Sequence, residues 1–168
     1  MPGSEEAAAA ATAAKRDRIF LVVVDESPEL QLALRYACLR ARKGGGRVML
    51  LRVVEPVELV EWAGVGAMLA EERREEAEKL LSGLAAEVTE ITGGLPILII
   101  REGDPRDELL ALLEEDPRIS ILVLASAAGS GGKDPLIGAL TGRYASRMSV
   151  PMTIVPGTLD DKELDRVT

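Results

Sequence analysis

The sequence contains no histidine and only one cysteine in 168 residues. Without histidine, the chain cannot build a histidine-based catalytic triad, a histidine zinc site or a histidine general acid or base. The single Cys38 rules out an internal disulfide and any CxxC redox chemistry. This use of cysteine is typical of a reducing compartment, so we expect the protein in the cytoplasm.

Aromatic residues and long apolar runs are also scarce. Aromatic side chains make up 2% of the chain, whereas 47% of its residues are hydrophobic. The core must therefore be aliphatic, and a flavin or redox carrier is disfavoured, because few aromatic side chains are present to stack on a flavin. No apolar run reaches the roughly 18 residues that are needed to cross a bilayer.

Positive charge is outnumbered along the chain. There are 20 Lys and Arg residues against 28 Asp and Glu residues, which gives a formal net charge of −8. This balance argues against nucleic acid and anionic membranes as partners.

Five short apolar runs alternate with segments of helical periodicity. This order predicts one α/β domain over residues 17–157, a doubly wound parallel sheet with helices on both faces in three α/β/α layers. Residues 1–16 are expected to form a disordered or partly helical tail, and residues 158–168 a loose C-terminal tail. We expect a loop over residues 55–68 and a long helix from Leu69. Capping residues followed by Pro predict helix starts at Ser27-Pro28 and at Asp104-Pro105. The helix after Pro28 is predicted to bury one apolar stripe, formed by Leu30, Ala33, Leu34, Ala37, Cys38 and Ala41. The predicted strands cover residues 18–24, 47–54, 96–101, 119–124 and 152–155.

The stretch from Ile121 to Val155 carries the most information about function. Its strand is followed by a loop of small residues, from Ala125 to Lys133, and then by Asp134 and Pro135. Asp is a good helix N-cap and Pro suits the first helical position, so a helix is predicted from there to about Met148. A small-residue loop that leads into a helix N-terminus is where α/β folds hold phosphates.

This stretch resembles the C-terminal half of the universal stress protein family. That family typically carries Gly, two residues, Gly, nine residues and then Gly followed by Ser or Thr, around the phosphates and ribose of ATP. Counting back from Pro151 places these positions on Ala125, Ala128, Gly138 and Ala139, so one of the four is kept. The resemblance implies a flavodoxin-like strand order, 3-2-1-4-5, with a ligand site beside strands 1 and 4.

The resemblance also implies nucleotide contacts elsewhere in the chain. Asp25 matches the family's VVVD-x-S pattern, Val53 its adenine-contacting residue, and Gly103 its Gly-Asp-Pro turn. Each has a purely structural alternative: a capping turn residue, a buried strand residue and a tight turn. The loop from Gly129 to Lys133 is either a variant phosphate loop or a flexible connection, and it is not a Walker A loop.

The last strand would lie at an edge of the sheet, and an unpaired apolar edge is a liability. The resemblance implies a homodimer in which these strands pair, through Met152, Thr153, Ile154 and Val155. Two functions then stay open. One is a regulatory stress-response dimer with weak or absent ATP binding that acts through protein partners. The other is a member that binds ATP or AMP with Mg²⁺ through a variant loop, with at most slow ATP hydrolysis.

Overall fold

The strands of the protein follow its apolar runs. A computed structural model describes residues 3–16, 18–58, 63–128 and 134–168. Its strands are β1 (Ile19–Val23), β2 (Arg47–Val54), β3 (Ile97–Glu102), β4 (Ile119–Ser126) and β5 (Met152–Pro156). Its helices are α1 (Gly3–Arg16), α2 (Leu30–Gly44), α3 (Ala63–Thr92), α4 (Pro105–Glu115), α5 (Pro135–Thr141) and α6 (Asp161–Val167), with a 3-10 turn at Ala145–Arg147.

The five strands form one parallel sheet in the order β3-β2-β1-β4-β5. This confirms the predicted fold class and strand order. The central strand β1 is fully enclosed, since Ile19, Phe20, Leu21 and Val22 are each at most 1% exposed. The sequence of such a strand is a continuous apolar run because both of its faces are covered.

Helices pack on both faces of the sheet, as a three-layer arrangement requires. Phe20 and Val22 point into the core beneath α2 and α3, whereas Ile19 and Leu21 point into the core beneath α4 and α5. On α2, the predicted apolar stripe is buried throughout. The stripe consists of Leu30, Ala33, Leu34, Ala37, Cys38 and Ala41.

Two helix boundaries differ from the prediction. Helix α3 begins at Ala63 rather than Leu69, so the predicted loop over 55–68 is too long; residues 59–62 lie outside the described part. Gly64 and Gly66 each cost about 1 kcal/mol relative to Ala in a helix, which thirty residues of helix can offset. Helix α5 ends at Thr141, not near Met148, because Gly142 leaves the helical region with φ −106° and ψ −105°.

The two ends of the chain are both helical. Residues 3–12 of α1 are exposed. The expectation of a loose C-terminal stretch is wrong: Asp160 and Glu163 form a capping box at the start of α6, and Leu164 is fully buried. Lys43 of α2 donates to the Asp165 carbonyl at 3.0 Å, which fastens α6 to the domain.

Among the described residues, no helix has both the length and the apolar character that crossing a membrane would demand.

Candidate functional site

A cleft of about 630 Å³ opens at the carboxyl ends of β1 and β2, beside the starts of α4 and α5. We call it the crevice. In open α/β sheets, ligands bind at this edge, where the strand order reverses. Its described lining consists of Val23, Val24, Asp25, Glu26, Ser27, Arg52, Val53, Glu55, Asp104, Pro105, Arg106, Asp134, Pro135 and Leu136.

Asp25 lies at the rim of the crevice and shapes the turn after β1. Its Oδ1 accepts hydrogen bonds from the Ser27 backbone N–H at 2.9 Å and from the Ser27 hydroxyl at 2.7 Å. The predicted capping role of Ser27 is wrong, because α2 begins at Leu30 with Glu29 as its N-cap and no side-chain cap. The structure therefore supports the turn function of Asp25 and also places the residue in the crevice lining.

Val53 lines the crevice, and its neighbour Arg52 links β2 to the segment that follows β1. Arg52 donates from one terminal nitrogen to the Val24 carbonyl at 3.2 Å and from the other to Glu26 Oε1 at 3.3 Å. Its buried Nε has no hydrogen-bond partner within the part of the chain that the structure describes. Sequence reasoning did not assign Arg52 to the site, although a lone cation inside the apolar run of β2 was a usable signal.

Gly103 forms a tight turn, and the residues after it reach the crevice. Its φ of 150° favours glycine, and its N–H donates to the Val54 carbonyl at 3.0 Å. Asp104 caps α4 by accepting from the backbone N–H groups of Arg106 and Asp107. The structure thus confirms the capped start, but it is Asp104, Pro105 and Arg106 that line the crevice, not Gly103.

The Arg106 guanidinium folds back onto the same carboxylate. Its Nε and a terminal nitrogen donate to the two Asp104 oxygens at 3.2 and 3.0 Å. This side-chain hydrogen bond, more than the backbone bonds to the cap, lowers the pKa of Asp104. Asp104 therefore stays ionised in the crevice at neutral pH.

The start of the β4–α5 loop is later than predicted. Ala125 belongs to β4 and pairs with Val155 of β5, so it is a strand residue rather than a loop residue. Ala125 also borders a narrow pocket of about 20 Å³ between β1 and β4, together with Asp25 and Asp134. Such a pocket holds about one water molecule.

Ala128 is exposed and lies beside the chain that leaves β5. A Cβ atom on Gly157 would stand 2.2 Å from the Ser126 carbonyl oxygen and 2.9 Å from the Ala128 nitrogen, so the two segments are in close contact. Among the described residues, only glycines have positive φ, so φ is negative at Ala125 and at Ala128. Gly129 and the rest of the loop to Lys133 lie outside the described residues.

Helix α5 begins in the predicted way, and its free backbone donors are used up. Asp134 Oδ1 accepts from the N–H groups of Leu136 at 2.9 Å and Ile137 at 3.0 Å. Pro135 has no N–H, and the Gly138 N–H donates to the Asp134 carbonyl at 2.9 Å. Among the described residues, the amides of the first turn of α5, those of Leu136, Ile137 and Gly138, are therefore all satisfied by Asp134.

Gly138 and Ala139 lie within α5 and outside the described lining of the crevice. Gly138 is exposed, and a Cβ atom there would meet nothing within 4 Å. Packing therefore does not require glycine at this position. Ala139 has no hydroxyl to offer to a ligand.

The described lining of the crevice is acidic. It holds five carboxylates, from Asp25, Glu26, Glu55, Asp104 and Asp134, and two guanidinium groups. Both guanidiniums are already engaged, Arg52 with Glu26 and Arg106 with Asp104. Among the described residues, three or more potential metal ligands do not come together anywhere.

The residues predicted for a dimer interface lie on an edge strand. β5 pairs with β4 on one side, and no other described strand pairs with it. Val155 is buried beneath α2, Met152 packs beneath α5, and Ile154 is 38% exposed. Thr153 is half-buried.

The model of the universal stress protein family matches residues 17–156. The chain belongs to this family. No curated protein sequence matches this universal stress protein.

Solved structures share its fold at low sequence identity. The universal stress protein UspA from Lactobacillus plantarum is 18% identical, with a TM-score of 0.68 over 83% of this chain and 98% of that one. A family protein from Arabidopsis thaliana with AMP bound is 14% identical, with a TM-score of 0.56 over 87% and 94%. The universal stress protein from Archaeoglobus fulgidus in complex with dAMP is also 14% identical, with a TM-score of 0.55 over 82% and 97%.

Proposed function

We propose that this universal stress protein is a cytoplasmic regulatory protein of the stress response. It acts as a homodimer, through contacts with other proteins, and binds ATP weakly or not at all. The cytoplasmic location is supported by its one cysteine, a buried free thiol of the kind found where disulfides do not form.

One observation carries the proposal that ATP binds weakly or not at all, which we call the weak-ATP part. Asp134 occupies the N–H groups of Leu136 and Ile137, so a phosphate would have to displace a carboxylate to reach them. Hydrogen bonds to charged groups contribute roughly 1.5–3 kcal/mol each. With alanine at three of the four motif positions as well, we expect affinity for ATP about 10- to 1000-fold below that of a site with the full motif.

The dimer is supported by the exposed edge of β5. An edge strand presents unpaired N–H and C=O groups, and proteins usually protect such strands with charge, proline or a covering element. Thr153 is the one polar residue between Met152 and Val155, and no Lys guards this stretch. Pairing with the same strand of a second copy would satisfy the edge with two-fold symmetry.

The test begins with protein purified without added nucleotide. It is denatured and its supernatant is searched for AMP and ATP, and ATP with Mg²⁺ is then titrated into the native protein by calorimetry. We expect no released nucleotide and no binding in the micromolar range. Co-purified nucleotide or micromolar affinity would overturn the weak-ATP part, and a monomer in sedimentation equilibrium would overturn the dimer.

The second candidate is a nucleotide-binding protein with a variant loop around Gly129, Gly138 and Asp25, which takes ATP or AMP with Mg²⁺ and hydrolyses ATP slowly if at all. The size of the crevice favours it, because about 630 Å³ falls within the usual range for small-molecule sites. The relatives solved with AMP and dAMP favour it as well. The same titration separates the two candidates.

A further inference from the structure

The size and the charge of the crevice point to different ligands. Its volume of about 630 Å³ suits a nucleoside-sized molecule, but its lining holds more carboxylates than guanidiniums. From this conflict we infer that the crevice binds the uncharged nucleoside or nucleobase and rejects its phosphorylated forms, and that Asp134 is the specificity-determining residue. The inference rests on the weak-ATP part of the proposed function.

The two guanidinium groups in the described lining are not available to a phosphate. Arg52 donates to Glu26 and to the Val24 carbonyl, and Arg106 binds both oxygens of Asp104. Each guanidinium neutralises a carboxylate of the lining itself. An incoming phosphate would have to break one of these ion pairs and leave its carboxylate exposed to the ligand's charge.

The remaining carboxylates are not paired with any cation that the structure describes. Asp25 is engaged by Ser27, and Asp134 by two backbone amides. Glu55 has Arg73 nearby, but that guanidinium donates to the Glu55 backbone carbonyl at 3.1 Å. Their charges therefore repel an anion at the rim of the crevice.

A neutral ligand meets no such obstacle. Val23, Val53, Pro105 and Leu136 offer apolar surface for a planar base. Carboxylates such as Asp25 accept hydrogen bonds from amino and hydroxyl groups, which a nucleoside carries. The lining thus suits a base and a sugar, while the N–H groups of Leu136 and Ile137 that could hold a phosphate are occupied by the Asp134 carboxylate.

The test compares adenosine, AMP and ATP by calorimetry on the full chain, without Mg²⁺ and at low salt. We expect wild-type protein to bind adenosine at least about 10-fold more tightly than AMP, and AMP more tightly than ATP. Raising the salt concentration should narrow the difference, since it arises from repulsion between charges. Repeating the ATP titration with Mg²⁺ shows how far a metal ion offsets that repulsion.

The variant Asp134→Asn removes the charge and keeps a good helix cap. It should strengthen the binding of AMP by about 10-fold relative to the binding of adenosine. Asp160→Asn is the matched control, because Asp160 caps the seven-residue α6 in the same way and does not line the crevice. Circular dichroism of both variants checks that they fold.

Three results would overturn the inference. The first is that wild-type protein binds ATP more tightly than adenosine. The second is that Asp134→Asn leaves the ratio of adenosine affinity to AMP affinity unchanged, and the third is that adenosine does not bind at all. In the last two cases the proposed function stands, since neither outcome requires ATP to be held. Micromolar ATP binding would overturn both.

Discussion

At the scale of single residues, the glycines show which positions the fold demands. Gly138 is the one residue of the family motif that this chain retains, yet it is exposed and has open space where a side chain would go. Gly157 carries no motif, yet its backbone touches Ser126 and Ala128. The structural need for glycine and the motif are therefore separate in this chain.

Replacing these two glycines should have opposite effects. Gly138→Ala is expected to stabilise the protein by about 0.5–1 kcal/mol, because alanine is the better helix former and meets nothing. Gly157→Ala should destabilise it by about 1–3 kcal/mol, because the added methyl group overlaps a backbone oxygen. Urea unfolding of both variants measures the free energies, and a destabilised Gly138→Ala would show that Gly138 has a structural role that the fold does not reveal.

At the scale of elements, helix ends are the features that the sequence predicted best. Asp104-Pro105 and Asp134-Pro135 were predicted as caps followed by Pro at the first helical position, and both are confirmed. Ser27-Pro28 has the same form but does not cap α2, because Ser27 is used by Asp25 instead. Local sequence could not decide that competition, since it depends on how β1 ends.

The cap of α4 should give the protein a measurable pH dependence. The pKa of Asp104 is lowered in the folded state, first by the hydrogen bond from Arg106. The ionised carboxylate therefore stabilises the fold above the ordinary aspartate pKa, and this stabilisation is lost as the pH falls through the lowered value. Asp104→Ala should cost about 0.5–2 kcal/mol at pH 7 and less under strongly acidic conditions.

The comparison is urea unfolding of wild-type protein and Asp104→Ala at neutral pH and in acid. Asp104→Asn serves as the control, because it keeps a capping oxygen and loses the charge. A difference between wild type and Asp104→Ala that does not shrink in acid would contradict the assignment.

The C-terminal helix should be a stabilising part of the domain. Leu164 is fully buried against α2, so Leu164→Ala should lower the free energy of unfolding by about 2–4 kcal/mol. Val167→Ala on the same helix is the control, because Val167 is 41% exposed and should change stability by less than about 1 kcal/mol. Equal effects of the two changes, seen by thermal or urea unfolding, would mean that α6 is not anchored through Leu164.

At the scale of the whole molecule, the sheet was predictable and the crevice only in part. The β-α alternation of short apolar runs predicted a parallel sheet with helices on both faces, and the family resemblance implied its strand order. The site residues Asp25 and Val53 do line the crevice. Arg52, Asp104 and Arg106 were not assigned to the site from the sequence. The Arg52–Glu26 pair joins two segments that only the fold brings together. The Asp104–Arg106 pair is local, but its place in the crevice depends on where α4 begins relative to β1 and β2.

The two edges of the sheet allow a direct test of the dimer. Ile154 on β5 and Leu98 on β3 are similarly exposed, at 38% and 41%, and lie on opposite edges. Ile154→Lys should produce a monomer, because a charge on an edge strand opposes pairing, whereas Leu98→Lys should leave the dimer intact. Light scattering after size exclusion gives the mass of each, and a dimer that survives Ile154→Lys but not Leu98→Lys would place the interface on the other edge.

The contact of Gly157 with Ser126 and Ala128 has a practical consequence for handling the protein. The chain passes from β5 to α6 through Gly157, and α6 is itself held by the buried Leu164 and by Lys43, so the C-terminus adjoins packed structure. Affinity tags, fusion partners and surface tethers are therefore better attached ahead of the exposed helix α1. An immobilisation through Thr168 would place its load on α6 and on the close contact of Gly157 with Ser126 and Ala128.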